Sequence, residues 1–301
     1  MKTLYRLLQV SMLACTLNAQ AELSVVTTTE DLSSIAQSIG GDRISVSSLT
    51  RGSADPHFSA AKPSMIRQVF HADLLLVVGA DMEAGWLPAL LRSARNARVL
   101  PENTGYLDLS RHVELMGILS GTVDRSMGDV HASGNPHYWL DPENGLKIAM
   151  AIREKLVSLD DSGKAVYIKN YAAFKQRLEN EKQRWMRELS FIKGKSVIAY
   201  HTSFIYLADA FGFNIVNEVE PKPGISPSAA ALNELVKHIQ KDKIGLLIME
   251  PWYEMRSSQW LQDQTGIRVA VIPQSVNEQA GIHSYFDLFD KIVNSLKEAQ
   301  E

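Results

Sequence analysis

Eight histidines and a single cysteine bound the chemistry open to this 301-residue chain. The most directed arrangement is "ASGNPHYWLDPENG" (132–145), where His137 stands between a Gly-Asn-Pro turn and a Tyr-Trp pair. Turn residues around a rigid aromatic segment aim an imidazole. Three more histidines hold comparable places. His57 follows Asp55-Pro56, His201 follows the apolar run "SVIAY", and His283 follows "QAGI" ahead of the last helical segment. All four fall at loops or strand ends, where open α/β sheets bind ligands. Four imidazoles without a thiolate suit a borderline ion such as Zn²⁺ in tetrahedral geometry. Ca²⁺ and Mg²⁺ require oxygen ligands, and Mn²⁺ prefers a share of carboxylates. The gaps of 80, 64 and 82 residues between the four are too wide to form a motif by themselves. A zinc hydrolase would need an open coordination position and a general base such as Glu250. The chain has no H-E-x-x-H, G-x-S-x-G or P-loop pattern to accompany one.

The other four histidines read differently. His71 ends a helical segment, His238 lies within an amphipathic one, and His112 has no supporting pattern. All three are expected to be structural or solvated. His131 lies in a loop just before His137, and is expected to be solvated there or to assist ion delivery.

These residues must be positioned by strands and helices in alternation. "LSVVTTT" (23–29), "RISVSSL" (43–49) and "ADLLLVVGA" (72–80) read as strands, with helices at 30–41 and 63–71 between them. That order is the signature of a parallel sheet with flanking helices. A segment free of proline and glycine from Lys164 to Lys193 predicts one long helix of roughly 28 residues, about 40 Å. Alternation then restarts, with strands at 196–200, 244–250 and 267–272 and helices at 203–212, 231–243, 256–266 and 284–300. The fold class is therefore α/β: two lobes, each a mostly parallel sheet with flanking helices, bridged by one long rigid helix. The expected division is 22–160 for the N-lobe, 161–195 for the linking helix and 196–301 for the C-lobe. His57 and His137 precede the long helix and His201 and His283 follow it, so the four can meet only in a cleft between lobes.

Residues 1–21 read as a secretory signal peptide. Lys2 and Arg6 precede an apolar run too short to span a bilayer, and Ala19-Gln20-Ala21 fits a cleavage site. Cys15 lies inside that segment, after a Ser11-Met12-Leu13-Ala14 that matches a lipobox poorly, so a soluble periplasmic protein is expected over a lipoprotein. The mature chain then has no cysteine, hence no disulfide and no thiolate ligand. Loss of Lys2 and Arg6 leaves 29 basic against 34 acidic residues, a formal charge of −5. Such a balance argues against nucleic acid or an anionic membrane surface as partner.

Several stretches taken in order resemble the cluster A-I solute-binding proteins, the zinc and manganese receptors of ABC importers. They are "ADPHFSAAKPSMI", "GNPHYWLDPENG", "YHTSFIYLADAFGF" and "IVNEVEPKPGISPS", and the resemblance covers nearly the whole mature chain. It implies two α/β lobes around a rigid helix and one metal in the cleft. It also implies a membrane permease as partner, no catalysis, and a monomer. Carried over residue by residue, the ligands fall on His57, His137, His201 and His283. The fourth position usually holds aspartate, and the histidine here shifts the expectation from Mn²⁺ or Fe²⁺ toward Zn²⁺. Asp287 is the nearest carboxylate that could substitute, and Asp55 and Glu250 are candidates to support the ligands. The loop before His137 is short, with only Asp124, Asp129 and His131, which implies no large metal-scavenging role.

Overall fold

The computed structural model describes residues 22–118, 131–220, 222 and 224–300. The predicted signal segment, Asp124 and Asp129 lie outside them. The chain forms two four-stranded parallel sheets. The first contains β1 (Leu23–Thr27), β2 (Ile44–Ser48), β3 (Leu74–Val77) and β4 (Tyr106–Asp108). The second contains β5 (Ser196–Ala199), β6 (Asn214–Glu218), β7 (Leu246–Met249) and β8 (Arg268–Val271). Their orders, β2-β1-β3-β4 and β6-β5-β7-β8, are the same topology used twice, although no internal repeat is visible in the sequence.

Helices α1 (Glu30–Gly40), α2 (Pro63–His71), α3 (Leu87–Ala94) and α4 (Pro142–Leu159) accompany the first sheet. After α5 (Lys164–Glu188) come α6 (Ile205–Phe211), α7 (Ala229–Asp242), α8 (Arg256–Thr265) and α9 (Tyr285–Glu298). Local chemistry sets many of the boundaries. Pro63 opens α2, and Asp141 caps α4 by accepting the Glu143 N–H, with Pro142 at the first helical position. Gly212 ends α6 at φ 73°, a left-handed conformation that costs glycine little.

Strand residues alternate between two buried faces. Val25, Leu74, Leu76, Val197, Ala199 and Ile248 join one cluster that runs through both lobes. Val26, Leu75 and Val77 face a second cluster with Val69 and Leu90. Ile198, Leu247 and Met249 face a third with Leu235, Ile239 and Leu261. Burial on both faces is why these strands read as apolar runs rather than as alternation.

The long helix α5 has 25 residues, about 38 Å. It is slightly shorter than predicted, because Ser190–Ile192 turns into a 3-10 segment. Its buried stripe is Tyr167, Phe174, Leu178 and Trp185. The early part meets α1 through Asn170 Nδ2, which donates to the Ile39 carbonyl at 3.0 Å. The late part meets α9, where Trp185 stacks on Phe289 at 4.8 Å and donates to Asp290 at 2.7 Å. α9 in turn returns to the first half. The Tyr285 N–H donates to Ser34 Oγ at 2.8 Å and its hydroxyl to the Trp139 carbonyl at 2.5 Å. α4 approaches that ring so closely that a Cβ on Gly145 would lie 2.4 Å from Tyr285 Oη. The lobes are thus tied by α5, by α9 and by a shared core, which gives the residues between them a firm base.

Candidate metal centre

Three of the four predicted histidines meet between the lobes. The ring centroids of His57 and His137 are 5.2 Å apart, His57 and His201 6.4 Å, and His137 and His201 6.2 Å. His131 joins them, with its centroid 4.9 Å from that of His57 and its Nε2 2.9 Å from His57 Nε2.

Each of the three predicted rings has an oxygen on its Nδ1. In the β2–α2 loop, Asp55 Oδ1 accepts from the His57 backbone N–H at 2.9 Å and pairs with His57 Nδ1 at 2.6 Å. After β4, Asn135 Oδ1 accepts from the His137 N–H at 3.0 Å and lies 3.1 Å from His137 Nδ1. Asp-Pro-His and Asn-Pro-His are therefore one device used twice. The residue before the proline holds both the backbone and the ring of the histidine after it. Asn135 cannot turn around, because its Nδ2 donates to the Thr202 carbonyl at 2.9 Å. Just past β5, His201 Nδ1 lies 2.8 Å from Glu220 Oε2, which also accepts the Gly224 N–H at 3.0 Å. An acceptor on Nδ1 places the proton there and leaves the Nε2 lone pair bare.

The loops are anchored from behind. The Trp86 indole donates to the Pro56 carbonyl at 3.1 Å. Tyr138 donates to the Val78 carbonyl at 2.5 Å, and the Trp139 indole to the Gln274 carbonyl at 2.8 Å. Tyr138 and Trp139 are both fully buried. The aromatic pair thus fixes the 3-10 turn that carries His137.

Electrostatics favour lone pairs over charge at two of the rings. Burial, and then the neighbouring imidazoles, hold the His137 pKa well below 6.5. Burial and the His57 ring bring His131 down to about 4. At His201, burial pulls the pKa down, but the Glu220 hydrogen bond and the charges of Glu250, Glu220 and Asp55 outweigh it, so the net shift is upward. Burial also pushes Asp55 up, yet its contacts with His57 prevail and lower it. Glu250, at the end of β7, is fully buried, and burial pushes it up to about 7. Its Oε1 accepts from Ser203 Oγ at 2.5 Å, while Oε2 has no partner among the described residues.

His283 is not brought to these rings. An antiparallel bridge between Asn277 and Ile282 turns Ile282 inward and leaves His283 exposed. Its backbone N–H donates to Asp287 Oδ2 at 3.2 Å, and the Asp287 N–H donates to Ser284 Oγ at 3.1 Å, so Asp287 serves the cap of α9. His283 lines a cleft of about 1010 Å³ that runs past Glu30, Ser33 and Glu278. A separate cleft of about 960 Å³ holds Glu220, Tyr200 and Tyr253, and only the Ser53–Phe58 loop borders both. His71 and His112 are exposed, and His238 pairs with Asp242 at 3.0 Å. Neither Glu220 nor the place of His131 among the rings is evident from the sequence alone. For Glu220 the available signal was its place in "NEVEP", two residues past a strand and beside the cleft.

Four nitrogens held at about 2.0–2.1 Å from one ion in a tetrahedron lie about 3.3 Å apart, which puts their ring centroids about 5 Å apart. The pairs His57–His131 and His57–His137 already have that spacing. His201 stands about 1 Å further out from both His57 and His137. Among the described residues, no three His, Cys, Asp or Glu side chains yet form the closed shell of a metal centre. The arrangement is an open one, whose donor set suits a late first-row divalent ion.

Three comparisons bear on this geometry. A family model described as zinc-uptake complex component A, periplasmic (ZnuA), matches residues 25–299. The zinc-binding lipoprotein AdcA of Streptococcus pneumoniae is 27% identical over 298 residues, covering 96% of this chain and 58% of the relative. The manganese ABC transporter substrate-binding lipoprotein PsaA of the same species is 26% identical over 253 residues, covering 82% of this chain and 78% of the relative. Among solved structures, one titled as the crystal structure of ZnuA superposes with a TM-score of 0.75 at 21% identity, covering 93% of this chain and 100% of that one. The Mn-bound periplasmic metal binding protein of candidatus Liberibacter asiaticus gives 0.76 at 18% identity, with the same coverage. At these identities the structural matches speak to the fold.

Proposed function

This chain belongs to the zinc-uptake complex component A family, and from that premise we propose that it is an extracytoplasmic receptor that captures Zn²⁺ between its lobes and hands it to the permease of an ABC importer. The observation that carries the reading is the set of three oxygens on three imidazoles: Asp55 on His57, Asn135 on His137, and Glu220 on His201. Each leaves one Nε2 lone pair for a common ion. Nothing in such a site calls for catalysis, and the family role is that of a receptor rather than an enzyme.

The relatives include receptors named for zinc and for manganese, so the choice of metal rests on the donor set. Neutral nitrogen ligands favour Zn²⁺ over Mn²⁺, which gains more from carboxylates. The metal-free mature chain is expected to bind one Zn²⁺ per molecule and to keep it against about a 100-fold excess of Mn²⁺. Elemental analysis after competition dialysis measures this. Equal retention of the two ions would sink the zinc assignment, and no retained metal would sink the receptor reading.

The relatives are named as lipoproteins, which gives Cys15 a second possible role besides removal with the leader. No described helix is long and apolar enough to cross a membrane. We favour cleavage after Ala21. The intact mass of the exported chain should then correspond to a start at Glu22, and a lipid-modified Cys15 terminus would refute it.

A further inference from the structure

We propose that His131 supplies the fourth nitrogen of the metal centre, the place the sequence resemblance gives to His283. This rests on the receptor reading above.

The contact between His57 and His131 is informative because of the atoms it joins. Asp55 pairs with His57 at Nδ1, so the nitrogen of His57 that meets His131 is Nε2. The two Nε2 atoms lie 2.9 Å apart, one ring donating and the other accepting. His131 is thus docked on the nitrogen a metal would use. Its Nε2 is about 0.4 Å closer to His57 Nε2 than two ligands of one tetrahedral ion would be, and the ring spacing already fits. An arriving ion need only separate the two nitrogens slightly, the proton between them passing to solvent as each ring presents a bare Nε2.

The segment that carries His131 is tied to the N-lobe. Its carbonyl accepts the Gly134 N–H at 3.3 Å, and Ser133 Oγ donates to Asp81 at 3.2 Å. Two residues on, the Asn135 N–H donates to the Met116 carbonyl at 2.8 Å. His131 and His137 therefore approach the ion from one short stretch, and His57 from the neighbouring loop. The N-lobe then contributes three nitrogens and the C-lobe one, His201. A shell of four imidazoles contains no carboxylate, which makes His131 a determinant of selectivity against Mn²⁺.

The test compares His131→Ala, His131→Asp and His283→Ala in the whole mature chain. The readouts are X-ray absorption to count imidazoles on bound zinc, and chelator competition for affinity. His131→Ala should reduce the count from four to three and weaken Zn²⁺ binding on the order of 10- to 100-fold, since water can take the vacated position. His131→Asp should restore four-coordination with one oxygen and narrow the preference for Zn²⁺ over Mn²⁺, which a packing role would not do. His283→Ala should change affinity by no more than about twofold. An unaltered imidazole count and affinity in His131→Ala, or an equal loss in His283→Ala, overturns the assignment of His131. If His57→Ala also keeps the unsubstituted protein's zinc affinity, the cleft reading itself fails, and this proposal with it.

Discussion

Replacing His137 with alanine is expected to weaken Zn²⁺ binding by about two to three orders of magnitude. Structural zinc sites carry roughly 10–16 kcal/mol of apparent binding free energy, or about 2.5–4 kcal/mol per ligand across four, at about 1.4 kcal/mol per tenfold. His137 belongs at the upper end of that range. It is only 1% exposed, so water reaches its position poorly. Asn135, held by Thr202, fixes the ring before any metal arrives, so little ordering cost opposes binding. Metal-induced stabilisation reads the loss directly. An ion at about 1,000 times its Kd raises stability by about 4.1 kcal/mol, and the same concentration acting on a site weakened 1,000-fold contributes about 0.4 kcal/mol. The zinc-dependent rise in melting temperature should therefore nearly vanish in His137→Ala. The metal-free melting temperature of each protein serves as its own baseline, which separates lost ligation from any cavity left by the ring. A variant that keeps the full zinc-dependent rise would remove His137 from the site.

The fold was legible because each lobe buries its strands on both faces. That produces apolar runs such as "LLLVV" and "GLLIM", which stand out without any pairing information. The elements that escaped lack that contrast. β4 has only three residues, and β6 is largely exposed, with a burial pattern that resembles a loop. α4 begins inside the histidine motif, where Asp141-Pro142 reads as a turn but is in fact a cap and first helical residue. The identical order of the two sheets left no trace in the sequence, since topology constrains burial and not residue identity.

The site was legible where its chemistry is local. Asp55-Pro56-His57 and Asn135-Pro136-His137 carry imidazole, turn and orienting oxygen within three residues, and in the folded chain that oxygen meets both the backbone and the ring of each histidine. It was illegible where the chemistry is long-range. Glu220 reaches His201 from nineteen residues away, and His131 reaches His57 from seventy-four. His283 shows the converse case. It has the right place in the order of motifs, but the bridge before it and the Ser284–Asp287 cap after it leave its ring exposed on another cleft.

The second large effect is expected at Glu220. Its carboxylate orients His201 and, together with Glu250 and Asp55, raises the pKa of that ring despite burial. A histidine whose folded pKa lies above its unfolded value near 6.5 adds stability that is fully present below 6.5 and is lost as pH rises through the folded value. In the metal-free chain, Glu220→Gln should therefore lower stability by about 1–3 kcal/mol at pH 6, because a charge-assisted hydrogen bond becomes a neutral one. The deficit should shrink as pH rises through the folded pKa of His201. The difference between the two proteins isolates His201 from His137 and His131, whose lowered values act with the opposite sign. In the loaded chain the same carboxylate has a second consequence. Protons compete for His201 at a higher pH than for His137 or His131, so acid release of zinc should involve His201 before either of them. Glu220→Gln should move the midpoint of release to lower pH, while lost orientation of the ring weakens binding at pH 8 by about 10- to 100-fold. Denaturant titrations at pH 6 and 8.5 and zinc retention across the same range measure both effects. A stability difference independent of pH would mean that Glu220 does not act through the charge on His201.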